Sequence, residues 1–147
     1  MNKLKTILLV EDSPGDVRLT RQAFREADCA LRFHVAADGM EALSFLRRQG
    51  RHFYAPRPDL ILLDLNLPRM DGRQVLAKIK QDDHLKAIPT IVLTTSGAEG
   101  DIEKIYRLQA NCYLTKPVDF DAFEDLVKSA SNFWLMMVRL PPQMRVG

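Results

Sequence analysis

At 147 residues and 46% apolar side chains, the chain is long enough to bury one substantial core and too short to suggest a second. Its 21 basic and 19 acidic residues leave a net charge of only +2, which excludes the strong positive field that gathers nucleic acid or anionic membrane without specific contacts. Cys29 and Cys112 show neither metal-ligand spacing nor a disulfide framework, no apolar run nears the roughly 18 residues of a membrane span, and no signal-peptide pattern opens the chain. A cytoplasmic protein is therefore expected, with no membrane association and no direct nucleic-acid binding.

The first apolar run, residues 6–10, is followed by Val17, Thr20, Phe24 and Ala27 at steps of three and four, the pattern of a strand and then an amphipathic helix. A second strand is expected over 32–36, and a second helix after Asp38-Gly39 from Ala42, Leu43, Phe45 and Leu46. The connection over 50–58, GRHFYAPRP, is unusually long and carries two prolines and two aromatics, so it reads as a loop with anchoring side chains. Strand 60–63 leads through LPRMDG, a turn in which Asp71 can cap and Gly72 can give backbone freedom, into a third helix marked by Val75, Leu76 and Ile79. Strand 90–93, a fourth helix with Ile102, Ile105 and Leu108, strand 112–114, and a fifth helix with Phe120, Phe123, Leu126 and Val127 complete the series. This alternation predicts an α/β fold around a parallel sheet. ILLV, LILL and TIVL are apolar on both faces, as central strands covered by helices on both sides should be.

In an open parallel sheet, ligands bind beyond the carboxyl ends of the strands. Glu11 and Asp12 follow ILLV, Asp64 follows LILL, Thr94 follows TIVL and Lys116 follows CYLT, so these strand exits deliver polar groups to one rim. Three of the groups are carboxylates that repel one another unless a cation lies between them, and an all-oxygen set favours a hard ion such as Mg2+. Asp64 can then be both metal ligand and nucleophile, because metal and lysine neutralise the charge of an incoming phosphoryl group. Taken singly, an acid at a strand end more often caps a helix or faces water, Thr94 is an ordinary strand residue, and a lysine before proline is an ordinary turn. Their coincidence on one rim is the signal. His34, His52 and His84 show no ligand spacing and read as structural or surface residues.

VEDSPGD, LLDLNLPRMDG, VLTTS and YLTKP resemble the signature segments of response-regulator receiver domains, and the resemblance covers about residues 5 to 130. It implies a flavodoxin-like (βα)5 fold, a doubly wound five-stranded parallel sheet, and transfer of a phosphoryl group from a histidine of a partner kinase to Asp64. It also implies that Glu11, Asp12, Asp64 and the main-chain carbonyl of Asn66 hold Mg2+, that Thr94 and Lys116 contact the phosphoryl oxygens, and that the Asn66 position tunes hydrolysis. The Lys116-Pro117 bond resembles the family's cis peptide. Tyr113 matches the family's switch aromatic in the last strand, a half-buried tyrosine with a fixed rotamer being the other reading. Thr95 stands where the family usually has a very small residue, and its bulk is expected to crowd the route to the acceptor. Such a chain is a phosphoacceptor switch and not an enzyme, catalysing only its own phosphorylation and dephosphorylation.

A phosphohydrolase of haloacid-dehalogenase type also uses an aspartyl phosphate, but such enzymes resemble a D-x-D pattern where this chain has Asp64-Leu65-Asn66. A pseudo-receiver usually lacks site residues that are all present here, and a flavodoxin-like cofactor binder needs a phosphate loop after the first strand. The 50–58 connection and NFWLMMVRLPP resemble the single-domain regulators that pair with bacterial phytochrome-type histidine kinases, which implies such a kinase as phosphodonor and a homodimer. A chemotaxis-type or relay receiver with another kinase is the alternative. Residues 5–130 are expected to form the receiver, with no output domain, and 131–147 a C-terminal extension of the last helix that serves dimerisation. Residues 133–138 are six apolar residues in succession, which on a helix project all round, so Phe133, Trp134 and Met137 are expected at the interface; folding back over the sheet edge is the competing reading.

Overall fold

The computed structural model describes residues 4–26 and 30–142; Ala27, expected in the first helix, Cys29, and 143–147 of the expected extension lie outside the described residues. Among the described residues, strands β1 (Lys5–Val10), β2 (Leu31–Ala36), β3 (Leu60–Leu63), β4 (Thr90–Thr94) and β5 (Cys112–Thr115) alternate with helices α1 (Pro14–Arg25), α2 (Gly39–Arg47), α3 (Gly72–Gln81), α4 (Glu99–Arg107) and α5 (Phe120–Asn132). The strands form one parallel sheet in the order β2-β1-β3-β4-β5, the expected doubly wound flavodoxin-like arrangement.

Period-two alternation within the strands divides the core between the two sheet faces. Leu8, Val10, Ile61, Leu63 and Val92 pack with residues of α2, α3 and α4, while Ile7, Leu9, Leu60, Leu62, Ile91 and Leu93 pack with α1 and α5. Every helix start but that of α4 is set by a side-chain cap. Ser13 accepts from the Asp16 N–H and Pro14 opens α1, Asp38 accepts from the Glu41 N–H, and Asp119 accepts from the Ala122 N–H. Asp71 caps α3 as expected, in a reciprocal capping box with Gln74.

Gly72 acts differently from expectation. Its backbone is not left-handed; the left-handed residue of this turn is Arg69, with φ 66°. What Gly72 supplies is space, because a Cβ there would stand 2.2 Å from the Asp64 carbonyl oxygen.

The 50–58 connection contains one 3-10 turn, Gly50–His52. Its anchors are His52, stacked edge-on against Phe45 at 5.4 Å and 2.7 Å from a Glu41 oxygen, and the buried Pro58 that leads to Asp59, whose carboxylate accepts from the Thr6 N–H at 2.8 Å. The two aromatics are not anchors: Phe53 and Tyr54 are 63% and 88% exposed. Helix α5 runs on into a π-helical turn, Phe133–Met137. Leu135 is buried and Trp134 and Leu140 are half-buried against the core beneath α1 and α5, whereas Phe133 and Met137 are 48% and 68% exposed. The tail thus folds back over its own core on one side and leaves the other side open. No helix of the described residues is long and apolar enough to cross a membrane.

Candidate functional site

The loop after β1 leads to α1 on one face of the sheet and the loop after β3 to α3 on the other, so a crevice opens where they part. Val10 is in register with Leu63, and the Asp64 N–H donates to the Val10 carbonyl at 3.0 Å, which sets Asp64 beside Glu11. Leu63 pairs in turn with Val92, and Thr94 with Thr115, so Thr94 and Lys116 emerge on the same rim; the Lys116 N–H donates to the Thr94 carbonyl at 2.7 Å. Carboxylate oxygens of Glu11, Asp12 and Asp64 lie within 4.8 Å of one another.

Glu11, Asp64 and Lys116 are buried, while Asp12 faces solvent. The Lys116 ammonium donates to Glu11 Oε1, to Asp16 Oδ2 at 2.9 Å and to Asp64 Oδ2 at 3.2 Å, and lies 5.9 Å from the centre of the Phe123 ring. The remaining oxygens are held by backbone: Glu11 Oε2 accepts from the Asp12 and Ser13 N–H groups at 3.1 and 3.2 Å, and Asp64 Oδ1 from the Asn66 N–H at 3.2 Å. Asn66 is exposed, and this bond keeps its main chain alongside the acceptor. Burial pushes the Glu11 carboxyl up to about 7, the nearby charge of Asp64 adding to it and the Lys116 hydrogen bond only partly offsetting it. Burial pulls the Lys116 ammonium down, but its bonds to Asp16 and Glu11 and the charge of Asp64 outweigh that, so it is held above the usual lysine range. Three carboxylates thus share one ammonium, and a fourth, that of Asp12, lies beside two of them. The shortage of positive charge and the all-oxygen donor set fit a hard divalent cation.

Thr94 is fully buried, and its hydroxyl has no hydrogen-bond partner among the described residues, which leaves it able to donate to an oxygen from outside the chain. Thr95, next along, is exposed. Tyr113 is half-buried, and its hydroxyl donates to the Ser96 carbonyl at 2.6 Å. No peptide bond among the described residues is cis, so Lys116-Pro117 is trans, contrary to the family resemblance; the ammonium reaches all three of its carboxylate partners from that linkage. Asp16 was not among the expected site residues. In sequence it is an ordinary acid in the first turn of a helix, and its bond to Lys116 spans 100 positions that only the fold closes.

An acid trio, a buried lysine and an unpartnered threonine hydroxyl gathered at the switch point of a doubly wound sheet define a receiver domain. The family model for the response regulator receiver domain matches residues 7–128, and the chain belongs to that family. It is 47% identical over 140 residues to Response regulator Rcp1 of Synechocystis sp., a match covering 95% of both chains. The crystal structure of the Mn(2+)-bound form of Rcp1 superimposes with a TM-score of 0.92 over 94% of this chain and 99% of that one. The phosphorylated cyanobacterial phytochrome response regulator RcpA, 46% identical, superimposes with a TM-score of 0.93 over 95% of this chain and 100% of that one. The chain is therefore a response regulator of the two-component class, and the haloacid-dehalogenase reading falls away.

Proposed function

We propose that this chain is a Mg2+-dependent phosphoacceptor switch in which Asp64 receives the phosphoryl group. An Asp64 oxygen attacks the phosphorus of a phosphohistidine on a partner histidine kinase; a P–O bond forms, the P–N bond breaks, and the imidazole leaves with that electron pair and takes up a proton. Lys116 meets the charge of the arriving oxygens, and the Thr94 hydroxyl donates to one of them. Glu11, Asp12, Asp64 and the Asn66 carbonyl would hold Mg2+, which when bound would supply further positive charge to those oxygens. The observation that carries this reading is the trio of carboxylate oxygens within 4.8 Å of one another, with the Lys116 ammonium 3.2 Å from Asp64. Thr94 and Tyr113 then relay occupancy to the surface, and Thr95 at the mouth restrains access to the acceptor. The chain catalyses only its own phosphorylation and dephosphorylation.

The likeness to Rcp1 and to the phytochrome regulator RcpA supports a phytochrome-type histidine kinase as donor. In this reading residues 5–130 are the receiver, 131–147 the dimerisation extension with Phe133, Trp134 and Met137 at the contact, and the protein works in the cytoplasm through protein contacts without touching nucleic acid. Intact mass after acetyl phosphate and Mg2+ should show one added phosphoryl group, absent in Asp64→Asn, with no turnover of a generic phosphate ester. Undiminished labelling of Asp64→Asn would remove the central assignment. Phosphotransfer profiling against the kinases of its own genome tests the donor, and preference for a non-phytochrome kinase would replace it.

A further inference from the structure

Strand β4 ends at Thr94, whose buried hydroxyl has no partner among the described residues, and two residues further on the β4–α4 loop is gripped from two sides. The Ser96 carbonyl accepts from Tyr113, and the Ser96 hydroxyl donates to Asp101 Oδ2 at 2.6 Å. The same Oδ2 lies 3.1 Å from the Arg73 guanidinium, which is also paired with Asp71 at 3.1 Å. Asp71 caps α3, and α3 starts at Gly72, which lies so close to the Asp64 carbonyl that no side chain fits between and whose N–H donates to the Leu65 carbonyl. A continuous chain of contacts therefore runs from the acceptor's loop, through the first turns of α3 and α4, to the loop that carries Thr94.

A buried hydroxyl without an acceptor is unfavourable, so a free loop would shift until Thr94 found one. The pairing of Thr94 with Thr115 and the bond from the Lys116 N–H hold its main chain, and the loop that follows it is held at Ser96. The loop recovers the lost hydrogen bond when a phosphoryl oxygen arrives, so whatever holds this conformation favours the phosphoryl-bearing state. We propose that Arg73 and Asp101 are positioning residues, which brace the β4–α4 loop through Ser96 and keep the Thr94 hydroxyl set for a phosphoryl oxygen. Neither touches the acid trio or Lys116. The inference rests on Asp64 being the phosphoacceptor.

Beryllofluoride, a tetrahedral phosphoryl mimic that binds a carboxylate, is titrated into the full chain at saturating Mg2+ and followed by fluorine NMR, with Mg2+ affinity measured separately. Wild type should bind and Asp64→Asn should not. Asp101→Ala and Arg73→Ala should each weaken binding roughly two- to fivefold, the scale of a partly exposed ion pair. They should also speed amide exchange over 95–98 and leave Mg2+ affinity unchanged. Arg73→Lys should recover most of the affinity, and the double variant should be little weaker than either single one, since both act through one contact chain. Wild-type affinity in Asp101→Ala would overturn the proposal, as would a parallel loss of Mg2+ affinity, which marks general loosening. Failure of wild type to bind, or binding by Asp64→Asn, would instead overturn the acceptor assignment and the positioning role with it.

Discussion

Replacing Gly72 with alanine places a methyl carbon 2.2 Å from the Asp64 carbonyl oxygen, 2.6 Å from Leu65 Cα and 3.0 Å from the Asp64 carbonyl carbon. All three are backbone atoms, so no side-chain rotation relieves the contact. Ordinary separations are about 3.5 Å, and α3 must therefore part from the acceptor's loop by roughly 1 Å. That movement strains the bond from the Gly72 N–H to the Leu65 carbonyl, now 2.9 Å. Overpacking of this kind costs about 1–3 kcal/mol, which at roughly 3 °C per kcal/mol lowers the unfolding midpoint by about 3–10 °C. A shift of about 1 Å at a reacting group slows chemistry on the order of a hundredfold, so acetyl phosphate labelling should fall by that order far below the midpoint. Gly100 in α4 is the contrast, with nothing within 4 Å of an added Cβ. Gly100→Ala should gain up to about 1 kcal/mol and label at the wild-type rate. Scanning calorimetry and timed mass spectra measure both. A Gly72→Ala protein with wild-type midpoint and labelling rate would refute the idea that α3 presses on the acceptor.

The Asp12 carboxylate is exposed and forms no hydrogen bond or ion pair among the described residues, so Asp12→Ala should keep the metal-free melting temperature and lose most of the rise that Mg2+ gives to wild type. An unchanged Mg2+ response would relegate Asp12 to the solvent. Burial, with the charges of Arg32 and His52, lowers the pKa of His34 below 6.5, so the stability it contributes as a neutral ring is present above 6.5 and lost as pH falls through its lower folded value. His34→Phe, which keeps a ring against Phe45, should flatten the decline of melting temperature on acidification; equal slopes would show that another group governs it. Met137→Glu should give a monomer by light scattering at micromolar concentration while leaving the fold intact, because that side chain lies outside the core; a persisting dimer would discard this surface. Truncation before Phe133 is a poorer test, since it also removes the buried Leu135.

The central strands were readable because burial on both faces leaves no alternative composition: LILL and TIVL bury every residue, and their observed ends differ from the sequence expectation by at most one position. The meeting of Glu11, Asp64, Thr94 and Lys116 was readable for a topological reason, since a parallel sheet sends every strand exit to one rim. The contacts that escaped the sequence all join segments whose proximity depends on helix placement. Asp16 to Lys116 and Arg73 to Asp101 are pairs of this kind, with no local pattern to announce them. The facing of the tail's side chains was hidden for another reason. The π-helical turn departs from the 3.6-residue period on which inward and outward faces are assigned, so Leu135 turns to the core between half-buried Trp134 and exposed Met136. At Gly72 the residue type was noticed and its use was not, because close approach of two backbones leaves no mark in one chain's sequence beyond the glycine itself.

The division of labour among the carboxylate oxygens explains how one site can serve two cations without refolding. Glu11 and Asp64 each commit one oxygen to backbone N–H groups and the other to Lys116. The backbone-held oxygens fix both side chains whatever the other oxygens face, so a change of cation partner moves no main chain. Asp16 gives Lys116 a third anchor outside the acid trio that would hold a metal. Were Glu11 and Asp64 to turn their Lys116-bound oxygens to a divalent cation, the ammonium would keep Asp16 and be relieved of two competitors, in a buried setting where each charge acts over distance more strongly than in water. In the proposed reading Lys116 would then be a positive group left to meet the phosphoryl oxygens.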